Sequence, residues 1–181
     1  MKVIFLDVDG VLNSQSDFKA THHKMCVMGS GCIGIYGPRL KLLKQIVDAT
    51  DAKIVLVSSW KSCWLKYRKQ VKEYLTTDMK EPLYIYFDRD DYGYYLHKKF
   101  RKHKLEIFDT TYDYEPNSWF RGEGIHNYLN SHKDITNWVV LDDEIFRDYD
   151  EEILKHLVKT SYYNEALNEI NVKEAIEILN Q

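Results

Sequence analysis

Two aspartates, Asp7 and Asp9, stand two residues apart at the end of an apolar run, and Gly10 follows at once. Like charges this close repel unless a cation or a proton offsets them. Their hard oxygens suit Mg²⁺, which keeps several waters and takes few carboxylates. Gly10 permits a sharp exit from a strand that a bulkier residue resists. The same string also fits a plain Asp-Gly turn without chemistry. A second acidic cluster, Asp142-Asp143-Glu144, ends another apolar run. Acids opening a helix are the competing reading there. Ser58-Ser59-Trp60 offers hydroxyls and backbone N–H groups at a strand-to-helix turn, a place that favours an anion. A simple serine cap explains it equally. Arg121, near a helix start, could grip a phosphoryl oxygen with its planar fork, or lie free on the surface.

These groups must be carried by something. Val3–Leu6, Ile54–Val57 and Trp138–Leu141 are short, continuous and rich in β-branched residues. Such runs suit strands buried on both faces of a parallel sheet. Weaker runs at Leu105–Phe108 and Leu157-Val158 fit the sheet edges. Helical spacing opens at Pro38 and continues through Leu40, Leu43, Ile46 and Val47. It recurs over 61–75, 121–130 and 171–180. Strands alternating with helices predict βαβ units and an α/β fold. In such sheets ligands bind beyond the carboxyl ends of the strands, so the polar endings should meet in one crevice. Residues 83–95, rich in Tyr and Asp, give no clear period.

The chain has 181 residues and 44% hydrophobic composition, enough for one domain with a buried core. No apolar stretch is long enough to span a membrane. Acids interrupt the apolar N-terminus early, which does not fit a secretory signal. Three cysteines, Cys26, Cys32 and Cys63, form no CxxC pair. That usage predicts a reducing, cytoplasmic setting. His22-His23 beside Cys26 is the one local zinc candidate, against a plain polar loop. Net charge is −3, but it is unevenly spread. Residues 1–104 carry 19 Lys and Arg against 11 Asp and Glu, whereas residues 105–181 carry 6 against 17. Such a split fits an anionic partner at the basic half, or two solvated faces of one domain.

Acid pair, hydroxyl, base and acid pair therefore follow one another at successive α/β strand ends. In this order the chain resembles the haloacid dehalogenase-like (HAD) superfamily of phosphohydrolases. Val3 to Leu12 matches its hhhhDxDGxx motif, and Ile54 to Ser58 its strand ending in Ser or Thr. Arg121 matches its helix-start base, and Asp142-Asp143 its closing acidic pair. DVDGVLN, SSW, RGE, VVLDDE and HLVKTS are also similar to the HAD-type phosphatase domains of RNA repair proteins. Gly124 departs from that pattern, where a second acid is usual.

The resemblance implies a Rossmann-like three-layer sandwich with a central parallel sheet and a small cap insertion. It implies a Mg²⁺-dependent phosphomonoesterase in which Asp7 is the nucleophile and Asp9 the general acid and base. Ser58 would bind a phosphoryl oxygen, with Ser59 as the alternative, and Arg121 would offset charge. Asp7, Asp142, Asp143 and the Asp9 backbone carbonyl would hold the metal. Gly10, Ser59 and Trp60 would line the substrate side.

One domain spanning 1–181 is expected, with a modest insertion within about 61–120. That insertion leaves an open crevice for a phosphorylated substrate such as a nucleotide or nucleic-acid end, with no membrane partner. Its basic residues (Lys66, Arg68, Lys69, Lys72 and the 97–104 stretch) interleave with tyrosines and with Trp60 and Trp64. Charge with stacking could grip a single strand of nucleic acid, or the aromatics could simply be core. Gly29 to Gly34 fits GxGxxG but lacks the flanking strand and helix of a dinucleotide site. A loop folding over the crevice suits it better. The competing class is a receiver-like or silent binding domain of the same architecture. The DxDG pair on the first strand argues against the receiver.

Overall fold

The computed structural model describes residues 1–25, 33–76, 91–111 and 120–181. The elements run β1 (Lys2–Leu6), α1 (Gln15–Ala20), α2 (Gly37–Thr50), β2 (Lys53–Leu56), α3 (Lys61–Leu75) and α4 (Tyr92–Lys102). They continue with β3 (Ile107–Thr110), α5 (Arg121–Ser131), β4 (Asn137–Asp142), α6 (Glu151–Lys155), β5 (Leu157–Lys159) and α7 (Glu169–Leu179).

The five strands form one sheet in the order β3-β2-β1-β4-β5, and every neighbouring pair is parallel. The three continuous apolar runs occupy its centre, as expected for strands covered on both faces. Period-two alternation divides each run between two cores. Ile4, Leu6, Ile54, Leu56, Val139 and Leu141 face one core, shared with α2, α3, α4 and α7. Val3, Phe5, Val55, Trp138 and Val140 face the other, shared with α5 and α6. Sheet and flanking helices therefore make the expected three layers.

β1 is paired on both sides, with β2 and β4, so its end lies mid-sheet. The hydrogen bonds continue past the strands. Asp7 N–H donates to the Leu141 carbonyl at 2.9 Å and Val57 N–H to the Leu6 carbonyl at 3.0 Å. This is how the polar endings of β1, β2 and β4 reach one edge.

One sequence expectation is corrected. The edge strand begins at Ile107, not Leu105. Lys104 takes the left-handed conformation (φ 56°) just past α4, and Leu105 N–H donates to the Phe100 carbonyl at 3.0 Å. That 6→1 bond closes a helix end on a buried hydrophobic residue, so Leu105 caps α4 rather than pairing with β2. Of the Tyr-rich stretch without a clear period, residues 91–95 are described, and they open α4. Its side chain N-cap is Asp91, and Gly93 lets the helix lie against the Cys63 carbonyl, where a Cβ would sit at 2.3 Å.

Within the basic stretch, Trp60 and Trp64 are buried in the core, while Lys66, Lys69 and Lys72 are exposed. Neither indole is open to stacking from solvent. The expected loop over the crevice, and Cys26 of the zinc candidate, fall mainly on 26–32, outside the described residues. So does much of the expected insertion, at 77–90 and 112–119.

Candidate active site

A crevice of about 350 Å³ opens at the carboxyl edge of the sheet, lined by Asp7, Asp9, Ser59, Arg121, Asp142 and Asp143, among others. Five of the sequence-predicted site residues and the alternative hydroxyl thus share one cavity.

Asp7 leaves β1 almost fully buried, and Asp142 ends β4 fully buried. Carboxylate oxygens of Asp7, Asp142 and Asp143 lie within 4.8 Å of one another. Arg121, the first residue of α5, stands against this group. Its Nη1 donates to Asp142 Oδ2 at 2.5 Å and lies 3.2 Å from Asp7 Oδ1. The Phe146 ring covers the guanidinium at 4.2 Å, and the Tyr149 hydroxyl donates to Asp142 Oδ2 at 2.8 Å. Glu144 N–H donates to Asp142 Oδ1 at 3.0 Å.

Gly10 makes the approach of the fourth strand possible. Its φ is +73°, and a Cβ there would fall 2.2 Å from Asp143 Cγ. A glycine is required on both counts, conformation and space. Gly122 has a matching role in α5, where a Cβ would stand 2.4 Å from the Asp148 carbonyl oxygen. Asp148 Oδ2 accepts from Glu123 N–H at 2.9 Å and so caps the helix that carries Arg121.

Asp9 is oriented differently from the other acids. Its Oδ2 accepts from Trp60 Nε1 at 2.8 Å and its Oδ1 from Asn13 Nδ2 at 2.9 Å. The Asp9 carboxylate is thus held apart from the three converging acids. Asn13 also accepts from Gly10 N–H at 3.0 Å and donates to the Ile33 carbonyl at 2.8 Å, which fixes the loop after β1.

Ser58 and Ser59 separate cleanly. Ser58 is fully buried, and its hydroxyl stands near Asp7, where it favours the charged carboxylate. Ser59 is exposed and lines the crevice. Trp60 is 5% exposed and spends its one donor on Asp9. Its geometry is that of a residue that positions Asp9.

The electrostatics are those of an anionic site short of positive charge. Burial, above all, pushes the Asp7 carboxyl well above the usual carboxylate range. Arg121 opposes this, while Asp142 and Asp9 add to it. Asp143 is pushed up to about 6 by burial, then by Asp142 and Glu144, against the Tyr162 N–H and Lys159. Burial works against the charge of Arg121, but Asp7 and Asp142 outweigh it and keep the guanidinium protonated.

Three converging carboxylates facing one guanidinium leave a net negative charge in a buried place. All the donors are hard oxygens, the set that Mg²⁺ prefers. The residues fit that ion. A second group of metal-ligating types, His126, Asp150 and Glu152, is more exposed. There Asp150 caps α6 by accepting from Ile153 N–H, and it accepts from His126 Nε2 at 2.9 Å, which accounts for it structurally.

The family described as the HAD domain in Swiss Army Knife RNA repair proteins matches residues 3–172. The chain belongs to this family. Curated proteins and solved structures gave no significant match. The HAD assignment agrees with the parallel sheet and points to a phosphohydrolase. No helix among the described residues of this HAD domain is long and apolar enough to cross a membrane.

Phe146, Tyr149, Asn13 and Asp148 were not identified from sequence. Tyr149 lies seven residues beyond its partner Asp142 and carries no local signature. Only the turn between β4 and α6 brings it back.

Proposed function

We propose that the chain is a Mg²⁺-dependent phosphomonoesterase that works through an aspartyl-phosphate on Asp7. One observation carries this reading: Asp7, Asp142 and Asp143 converge on a single point beside Arg121. Asp7, Asp142 and Asp143 would hold the ion, with the Asp9 backbone carbonyl. Bound there, Mg²⁺ supplies positive charge that lets a carboxylate approach a phosphate dianion.

Asp7 attacks phosphorus, and the bond to the ester oxygen breaks. Asp9 gives that oxygen its proton. Water then attacks the aspartyl-phosphate, Asp9 takes the proton from it, and Asp7 and inorganic phosphate separate. Trp60 and Asn13 hold Asp9 in the orientation for both transfers. Ser58, beside Asp7, steadies a phosphoryl oxygen. Arg121 offsets charge on Asp7 and on the phosphoryl group. Gly10 and Ser59 give the phosphoryl group room and a hydroxyl at the crevice wall.

The chain acts as one domain over 1–181 with a modest insertion within about 61–120. Its substrates are phosphorylated compounds that include nucleotides or nucleic-acid ends. The family match supports the nucleic-acid end, through the RNA repair proteins in its description. Sparse cysteine usage supports a cytoplasmic setting.

Hydrolysis of a generic phosphate ester with added Mg²⁺, lost on chelation and lost in Asp7→Asn, is the expected result. Near-normal metal-dependent turnover by Asp7→Asn would exclude this mechanism. A silent binding domain or a receiver-like phosphoacceptor would show no turnover in the wild-type chain.

A further inference from the structure

The turn that follows β5 brings two adjacent tyrosines, Tyr162 and Tyr163, to the wall of the same crevice as Asp7 and Arg121. Their rings meet edge to face, with centroids 5.5 Å apart and planes at 85°. Tyr163 is 76% exposed. A tyrosine left this open forgoes most of the burial its ring offers.

The backbone beneath the rings is fixed. Gln15 N–H donates to the Tyr162 carbonyl at 2.8 Å, and Ser161 N–H to the Glu165 carbonyl at 3.2 Å. Asn164 N–H donates to Ser161 Oγ at 3.2 Å, and Ser16 Oγ donates to the Asn164 carbonyl. The Tyr162 N–H lies near enough to Asp143 to favour its charged form, so the turn stands beside the acidic cluster. Thr160 N–H donates to the Asp142 carbonyl at 2.9 Å and sets the turn against β4. The backbone that carries both rings is thus held at a set place beside the reacting groups. Ile33, buried and apolar, lines the crevice as well.

The crevice is larger than a phosphoryl group needs, so room is left for what the phosphate is attached to. Charge cannot be the main attraction for that remainder, because Asp143 and Glu144 share the same lining. A flat ring can still be held there by stacking, which is largely indifferent to charge.

We propose that the Tyr162–Tyr163 corner is the leaving-group subsite and selects phosphate monoesters that carry a flat aromatic ring. The ring is a nucleobase or a simple aryl group. The subsite rests on the phosphomonoesterase reading given above, which it deepens.

The test compares kcat/KM for adenosine 5′-monophosphate, phenyl phosphate and glycerol phosphate in wild type, Tyr163→Ala and Tyr163→Phe, with Mg²⁺. Tyr163→Ala should lower the preference for an aromatic ester over glycerol phosphate by roughly 5- to 150-fold, the range that losing one base–aromatic stack produces. Tyr163→Phe should keep the preference, since the ring remains. Loss confined to the nucleotide identifies a nucleobase, and loss for both aromatic esters identifies the ring alone. An equal fall for all three esters, or no change in any ratio, would overturn the subsite.

Should the wild-type chain hydrolyse none of the three, the hydrolase reading fails and the subsite is judged by binding. Calorimetry with adenosine 5′-monophosphate and with glycerol phosphate then serves, in wild type and Tyr163→Ala. A selective loss of nucleotide affinity in Tyr163→Ala keeps the subsite. Equal affinities in the two proteins remove it.

Discussion

The indole N–H of Trp60 donates to Asp9 Oδ2 at 2.8 Å, joining the residue that opens α3 to the loop after β1. The bond crosses from one strand end to the next and leaves the Asp9 carboxylate with a defined direction. Trp60→Phe keeps a large ring in place and deletes this donor. Hydrogen bonds to charged groups contribute about 1.5–3 kcal/mol. Because Asp9 moves protons only during reaction, the loss should fall on kcat, by roughly 10- to 100-fold on that scale, with KM little altered. Steady-state kinetics check this. A wild-type kcat in Trp60→Phe would reduce Trp60 to a packing residue.

Arg121 is the single cation 2.5 Å from Asp142 and 3.2 Å from Asp7 among the ion pairs of the described residues. Removing one partner of a buried pair leaves uncompensated charge and costs about 3–5 kcal/mol. Arg121→Ala should therefore be inactive and clearly less stable near neutral pH. Part of the lost stability should return with added Mg²⁺, which offsets the same acids. Urea unfolding with and without Mg²⁺ measures both effects. Unchanged stability in Arg121→Ala would show that the acids are balanced in another way.

Gly10 combines a φ of +73° with a Cβ position 2.2 Å from Asp143 Cγ. The left-handed conformation alone costs a residue with a Cβ about 1–2 kcal/mol. The clash must also displace Asp143 or the β1 loop. Gly10→Ala should be destabilised by at least that amount and should need more Mg²⁺ for half-maximal activity. Denaturation and a Mg²⁺ titration test the two parts. A stable variant with a normal Mg²⁺ requirement would mean that Asp143 is not a ligand.

Asp143 and Asp7 are both pushed above the ordinary carboxylate range, Asp143 to about 6. Without metal the folded chain holds protons that the unfolded chain has released, from about pH 4 upward. Its stability should thus fall as pH rises through 6 and beyond. Mg²⁺ competes with those protons, so its stabilising effect should grow with pH. Melting temperatures at pH 5 and pH 8, with EDTA or Mg²⁺, test the sign. A larger Mg²⁺ shift at pH 5 than at pH 8 would contradict it.

Much of this architecture was already written in local sequence. The runs at β1, β2 and β4 are apolar at every position because helices cover both faces of the central sheet. An abrupt change to Asp or Ser marks where each strand ends at the crevice. Asp7, Asp142 and Arg121 could thus be found without coordinates. The short helices α1 and α6 leave no trace in the sequence, since five or six residues hold too few turns to show a period. Leu105 misled because a helix-closing residue and a strand residue are equally apolar.

What the chain by itself determined is which residue types stand at the strand ends. Chemistry of that kind is inherited from identity and order. The fold alone decided which of two neighbouring serines is buried beside Asp7, that Trp60 serves Asp9, and that Tyr149 and Phe146 clamp Asp142 and Arg121. It also placed Tyr162 and Tyr163 beside the acids. Those are contacts between segments far apart or turned back on themselves. Their geometry follows from how the layers pack, and no local pattern of residues encodes it.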